Sequence, residues 1–505
     1  MKNEKALAQH APIDRLPHEL LERIFEEAGC ALCAVTVQKA CRKPDTHVVS
    51  MVCSRWRNII LNSPVFWSDI AASSDVNGRL AIDERNLPEI LERSGNSGLH
   101  VTLDMRVGPI NDSVKKLIPL LEECPRWHSL GIHIPGRALI GHSNDKIRIA
   151  QILGLGLGHG RLGRLKSLTL GTIGDASIIR TLQLAPNLET LVVIECVSED
   201  NRSVLQLQDC WPMLREVAAS PFALLSGEQR LGWMTSVEIV SMRIDRYRHQ
   251  PISQVSGQFH FPSVKDLSLC CVSTSSSFEE ILTNIPRHDL SNTVLPPDGF
   301  PSFINDILSR FQDTPQLESL SIAWLDVYAF RSDRSAPHLC IGPLLHFMHC
   351  NGQRLSRLSI SNLLLEPAEL QALLGAIPTL TSLKIDEADM GVVVARPSKV
   401  AMVTEAFLMF LTANPKSPLP HLKHVNFTVN RFHDEAFTKM VLSRQKSNGH
   451  VASLSAVALT LSGIGDLSET DFFRLVPSLV KNVRLQLRDL KGCAMTRVYP
   501  PSIAM

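Results

Sequence analysis

The chain has 505 residues, 44% of them hydrophobic and 20% charged, which supplies material for an extensive core and excludes disorder over most of its length. Lys and Arg number 51 against 50 Asp and Glu, a formal net charge of +1. That balance argues against a protein built mainly to hold phosphate backbones, which needs a positive surplus or a concentrated basic patch. No stretch reaches the roughly 20 apolar residues of a membrane helix, and the first residues lack the apolar run of a secretory signal. The 12 cysteines are therefore expected as reduced thiols in the cytoplasm or nucleus.

Residues 1–11 read as a disordered terminus. Leu16, Leu20 and Ile24 then recur every four positions, flanked by Leu21 and Phe25, with Pro17 suited to a first helical turn. The spacing predicts an amphipathic helix over 14–25. A second helix is predicted from Val49, Val52, Cys53, Trp56 and Ile60, which share one face, and Trp67 closes the segment after Ser63-Pro64. The insert 30–47 holds Cys30, Cys33, Cys41 and His47. Its spacing superficially suggests zinc but fits no zinc module, and Cys is a common small buried hydrophobe, so no metal is assigned. A unit of this size cannot bury so many large apolar residues by itself, and some are expected to face a partner.

Leu16-Pro17, Leu20-Leu21, Ile24-Phe25, Val52-Cys53, Trp56-Arg57, Ser63-Pro64 and Trp67, in that order, resemble the F-box. The resemblance covers residues 12–70. It implies docking to a Skp-type adaptor and, through it, to a cullin scaffold, with Leu16, Pro17, Leu20, Ile24, Phe25, Val52, Cys53, Trp56 and Trp67 as adaptor-binding residues. Residues 71–98 read as a linker whose stretch 86–94 is a helix ending at Gly95.

From residue 99 to 490 one pattern recurs: apolar, two residues, apolar, one residue, apolar. It reads as a short strand with alternate side chains on one face. Its central residues are Val101, Leu130, Leu168, Leu191, Val217, Val237, Leu267, Leu320, Leu358, Leu383, Val425, Val457 and Val483, about 32 residues per step, a repeat-array period. Pro125, Pro186, Pro212, Pro262, Pro315, Pro378 and Pro420 stand two residues before the first apolar position, where a helix must stop and an extended segment can begin. Segments 112–124, 303–311, 367–377, 402–412 and 435–444 between them read as helices. The predicted fold class is α/β: a helical F-box followed by a leucine-rich-repeat-like solenoid, a curved parallel sheet with helices on the outer face. A closed or doubly wound α/β domain is the alternative. Residues 272–301, rich in Ser and Pro, read as an inserted loop, and 491–505 as a tail.

No catalytic constellation is present. Gly158-His159-Gly160-Arg161-Leu162-Gly163 matches a dinucleotide loop in letters, but it follows a helix-like stretch and precedes a strand, the reverse of the required order. Arg243–His249 reads as a solvated basic loop, and His346 and His349 as packing or solvent-facing residues. No cofactor and no metal is expected. The residues between the inward apolar positions are small or polar with mixed charge, a surface suited to a protein partner rather than to nucleic acid or membrane. Arg357, Ser359 and Lys384 are the candidate substrate-binding residues. The expected function is substrate recognition within a cullin-RING ubiquitin ligase, or scaffolding by an F-box protein without ubiquitination, and not enzymatic catalysis.

Overall fold

The structure is a computed structural model. It describes residues 12–27, 46–73, 86–104, 117–133, 162–173, 185–196, 211–219, 235–245, 259, 261–272, 299–311, 314–325, 339, 341–363, 365–387, 401–413, 417–429, 433–445, 451–462, 482–488 and 494–499. The chain divides into two compact units, Met1–Leu214 and Arg215–Met505.

The first unit begins with helices. A 3-10 turn at Pro12–Arg15 leads into α1 (His18–Glu27), followed by α2 (Thr46–Ser50), α3 (Ser54–Asn62) and a 3-10 turn at Pro64–Trp67. Five parallel strands follow in sequential order: β1 (Asp69–Ser73), β2 (Leu99–Asp104), β3 (Trp127–His133), β4 (Ser167–Ile173) and β5 (Thr190–Cys196). Helices α4 (Asn86–Arg93) and α5 (Ile118–Glu122) lie in the first two crossovers. Parallel neighbours need such crossovers because the chain must return to the same end of the sheet.

The second unit continues the same grammar with β6 (Glu216–Ala219), β7 (Ile239–Asp245), β8 (Asp266–Val272), β9 (Ser319–Leu325), β10 (Arg357–Ser361), β11 (Ser382–Asp386), β12 (His424–Val429), β13 (Ala456–Ser462) and β14 (Asn482–Arg488). All are parallel and sequential, and β15 (Ala494–Tyr499) adds antiparallel to β14. Helices α6 (Gly299–Arg310), α7 (Ile341–Asn351), α8 (Pro367–Gly375), α9 (Glu405–Phe410) and α10 (Asp434–Gln445) lie in the five crossovers from β8 to β13, each in contact with the next. A doubly wound sheet reverses its strand order; neither unit does among its described strands.

The core lies between strands and helices. Leu358 and Ile360 on β10 and Leu383 and Ile385 on β11 are buried, as are Leu370, Leu373 and Leu374 on α8. Phe427 on β12 meets Phe407 of α9 at 6.3 Å and Phe437 of α10 at 6.1 Å between ring centroids. Each such side chain contributes roughly 1.5–3 kcal/mol of burial. Local chemistry sets the helix ends: α8 opens on Pro367 with a capping box between Glu366 and Glu369, and Thr404 caps α9 by accepting from Phe407 N at 3.2 Å. Arg444 of α10 is fully buried. Its guanidinium donates to the Leu411 carbonyl at 2.8 Å and the Leu419 carbonyl at 3.2 Å, tying α10 to the end of α9 and the segment before β12. Burial lowers its pKa to about 10, so it stays charged at neutral pH.

Twelve of the thirteen central apolar residues read from the sequence occupy equivalent register positions: Val101, Leu130, Leu168 and Leu191 in the first unit, and Val217 through Val483 in the second. The exception is Val237. The register pairs Val240 with Val217 and Leu267, because Val237, Val240 and Met242 repeat the same spacing three residues on. The prolines act as turn formers. Leu188, Leu214, Val264, Leu317, Leu380 and Leu422 each donate to the carbonyl three residues back, placing Pro186, Pro212, Pro262, Pro315, Pro378 and Pro420 second in a β-turn, where a fixed φ is preorganised. Two strands lie outside the expected array: β1, ahead of residue 99, and β15, within the expected tail. The expected loop at 272–301 shortens at its end, where α6 already starts at Gly299; residues 273–298 lie outside the described residues.

Candidate functional site

Helix α1 points two side chains inward and two outward. Leu21 and Phe25 are buried, and the Phe25 ring sits 4.7 Å from Trp56 of α3 and 6.4 Å from Phe66. Arg55 of α3 donates to the Leu16 carbonyl, and Arg57 to the Ser50 carbonyl at 3.1 Å. On the outside Leu20 and Ile24 remain 48% and 44% exposed. The single helix expected through Val49, Val52 and Trp56 is broken. Cys53 is extended (φ −157°, ψ 168°) and its Sγ accepts from Trp56 N at 3.5 Å, so it caps a new helix. The break swings Val52 outward at 59% exposure, beside Met51 at 64% and Val48 at 57%.

The structure therefore sorts the nine candidate adaptor-binding residues. Leu20, Ile24, Val52 and Pro17 are exposed, and Leu16, Cys53 and Trp56 are half-buried. Phe25 and Trp67 are buried and present nothing to a partner: they hold the helices in place. Trp67 Nε1 donates to the Ile60 carbonyl at 2.8 Å, and the Arg93 guanidinium of α4 covers its ring at 4.4 Å. Val48 and Met51 were not among the candidates read from the sequence. Among the described residues, seven of the eleven exposed large hydrophobics lie between Ile13 and Leu61. Cys30, Cys33 and Cys41 lie outside the described residues, as does the side chain of His47.

This segment runs without slack into the sheet of its own unit. Two residues after Trp67, β1 begins and pairs with β2, and the carbonyl of Ser68 between them accepts from His100 N at 2.8 Å. Beside it His100 and His128 meet edge to face at 5.4 Å, and His100 Nδ1 lies 3.0 Å from Ser129 Oγ. Burial, then the charges of His100 and Lys166, hold the His128 pKa below its ordinary value against a smaller opposing effect of Glu189.

On the solvent face of the second unit, Arg357 donates to Asp266 Oδ1 at 3.0 Å, reaching across β9 from β10 to β8. Lys384 pairs with Asp386 at 2.8 Å, and Asp386 also accepts from Ser361 at 2.9 Å and Thr428 at 2.7 Å. Ser359 stands in register with Ser321 on one side and Lys384 on the other; Ser268 and Ser241 continue the row over β8 and β7. The three candidate substrate-binding residues are thus adjacent, but Arg357 and Lys384 each hold an acid of the same face. Asp266 was missed because its pairing with Arg357 spans 91 residues of sequence, and Asp386 because its partners Ser361 and Thr428 come from the neighbouring strands, 25 and 42 residues away. A serine row flanked by neutralised charges can offer hydroxyl hydrogen bonds, and it sets no strong field of either sign. Of the basic stretch 243–249, the first three residues belong to β7; the rest lies outside the described residues, as does most of the glycine stretch 158–163. No helix among the described residues is long and apolar enough to cross a membrane.

No protein-family model matches the sequence, and neither does any curated protein. Among solved structures, one described as the crystal structure of a TLR13-ssRNA13 complex is 12% identical with a TM-score of 0.30, over 83% of this chain and 56% of that one. This chain spans little more than half the length of that protein, and a likeness so slight carries nothing about ligand or partner.

Proposed function

We propose that the chain is an F-box substrate receptor. Its N-terminal helices dock a Skp-type adaptor and so join a cullin scaffold, and its leucine-rich-repeat-like array binds a protein substrate. The observation that carries the reading is the apolar surface that Leu20, Ile24, Val48, Met51 and Val52 each leave exposed, on helices that otherwise bury Phe25 and Trp67. That surface coincides with the segment whose residues resemble the F-box. Chemistry belongs to other subunits in this reading. The receptor acts by raising the local concentration of substrate near the transfer site, in the cytoplasm or nucleus. The row through Ser321, Ser359 and Lys384, with Arg357 beside it, is the proposed substrate surface.

The test is capture of a purified Skp-type adaptor by the full chain. Leu20→Asp with Ile24→Asp is expected to abolish capture while thermal unfolding is unchanged, and Leu16→Ala with Pro17→Ala to weaken it. Undiminished binding by the first double variant at equal expression removes the adaptor reading.

A further inference from the structure

Helix α7 carries a pair of donors that the receptor reading does not use. Its inner side buries Leu344, Phe347, Met348 and Asn351, and Asn351 is fixed further by accepting from Thr314 N at 2.8 Å. Its outer side exposes His346, His349 and Cys350. His346 and Cys350 stand one helical turn apart and therefore on one face. Their Nε2 and Sγ atoms are 3.9 Å apart. Cys350 is a free thiol.

That separation has the scale of two ligands on one metal ion. Zinc binds thiolate sulfur at about 2.3 Å and imidazole nitrogen at about 2.0–2.1 Å, which puts the two donors roughly 3.6 Å apart at a tetrahedral angle and further apart as the angle opens. A small rotation about either side chain covers the difference, and the helix backbone need not move. The donor set is a thiolate and an imidazole with no carboxylate. It favours zinc, cadmium or monovalent copper over calcium and magnesium, which take oxygen ligands. His349 lies on the flank, where its Nδ1 donates to the Leu345 carbonyl at 2.8 Å. No group of three or more His, Cys, Asp or Glu able to hold a metal occurs among the described residues, so the chelate has two protein donors and its other positions go to water or to an added ligand.

We propose that His346 and Cys350 form a two-donor surface site for a thiophilic metal ion, with Zn²⁺ as its ordinary occupant. On binding, a sulfur–zinc bond and a nitrogen–zinc bond form. The thiol proton, and the imidazole proton where the ring is charged, pass to solvent, so occupancy rises with pH. The inference stands apart from the adaptor reading, since α7 belongs to the second unit and neither residue is needed for docking.

The experiment is peptide-resolved mass spectrometry of the full reduced chain, following alkylation of Cys350 by iodoacetamide with and without Zn²⁺ at about tenfold excess over the cysteines. Fragment ions that fall between Cys340 and Cys350, which share a tryptic peptide, assign the label to this thiol rather than to the other eleven. Zn²⁺ is expected to slow alkylation of Cys350 at least tenfold in the unaltered chain. His346→Ala should lose most of that protection, and His349→Ala should keep it. Both substitutions are on an exposed face, and an unchanged thermal unfolding curve verifies that the helix persists. Absence of protection in the unaltered chain overturns the site. Equal protection in His346→Ala also overturns it, because a thiol binding zinc without its partner is not a chelate.

Discussion

Helices α1 and α8 are of similar length, 10 and 9 residues, yet α8 seats Leu370, Leu373 and Leu374 with no exposure while α1 leaves Leu20 and Ile24 nearly half open. The difference lies in their neighbours. Helix α8 touches α7 and α9 on either side and shares its unit's core with β10 and β11, so nearly every direction along its apolar stripe is occupied. Among the described residues, α1 packs through Phe25 on Trp56 of α3 and Phe66 of the 3-10 turn, which covers one side and leaves Leu20 and Ile24 open. Apolar side chains that resemble each other in sequence thus do opposite things: in the array they are spent on folding, and at the front of the chain some are left for something else. The array has its own open surface, the serine row, but it is polar and internally neutralised.

The sharpest way to break this contrast is to replace exposed apolar residues at the front by charges. Val52→Asp with Met51→Asp should lower adaptor affinity at least 100-fold, measured by titration calorimetry, and leave the unfolding midpoint within about 1 °C, since neither side chain is seated in the core. If the midpoint falls as far as it does for a buried site, these residues are core and the contrast is false. The complementary substitution is Phe25→Ala. It should cost about 3–5 kcal/mol locally, seen as early loss of protection from hydrogen exchange in α1 and α3 while β10–β12 stay protected.

Within the array the contrast predicts that no buried apolar position is dispensable. Leu374→Ala should destabilise the second unit by about 2–5 kcal/mol in urea unfolding. Arg444→Met is expected to cost less, about 2–3 kcal/mol, by leaving the Leu411 and Leu419 carbonyls buried without their donor. Arg444→Lys should recover little of it, because an ammonium lacks the forked geometry that reaches both carbonyls.

The smallest effect is the pH response of the first unit. The folded pKa of His128 is lowered, so between that value and its ordinary 6.5 the unfolded chain binds the extra proton, and stability must rise with pH through that window. Acidification from pH 7 should lower the unfolding midpoint of the first unit by a few degrees, and His128→Gln should flatten the response. A midpoint that rises on acidification gives the opposite sign and removes the desolvation account.

Much of the array was legible in the sequence because its signal is local. An apolar triplet behind a proline turn says where a strand starts, and sequential parallel strands need no long-range rule to order them. The one slip, Val237 for Val240, occurred where two overlapping triplets satisfied the same pattern and only pairing with β6 and β8 chose between them. β1 escaped because Asp69–Ser73 has a single large apolar residue, Ile70, and is a strand by virtue of β2 beside it. β15 escaped because it pairs antiparallel and breaks the repeat that made the others visible.

The amino-acid sequence by itself determined the repeated strand, the proline turns, the helical stretches between them and the dense apolar front segment, since each depends on residues within a few positions of one another. Tertiary structure alone decided which front residues face outward. It broke the second helix at Cys53, buried Phe25 and Trp67, exposed Val48, Met51 and Val52, and gave Arg357 its acid from two strands away. Those outcomes depend on which neighbours fill the space around a side chain, and residues far apart in the chain supply those neighbours.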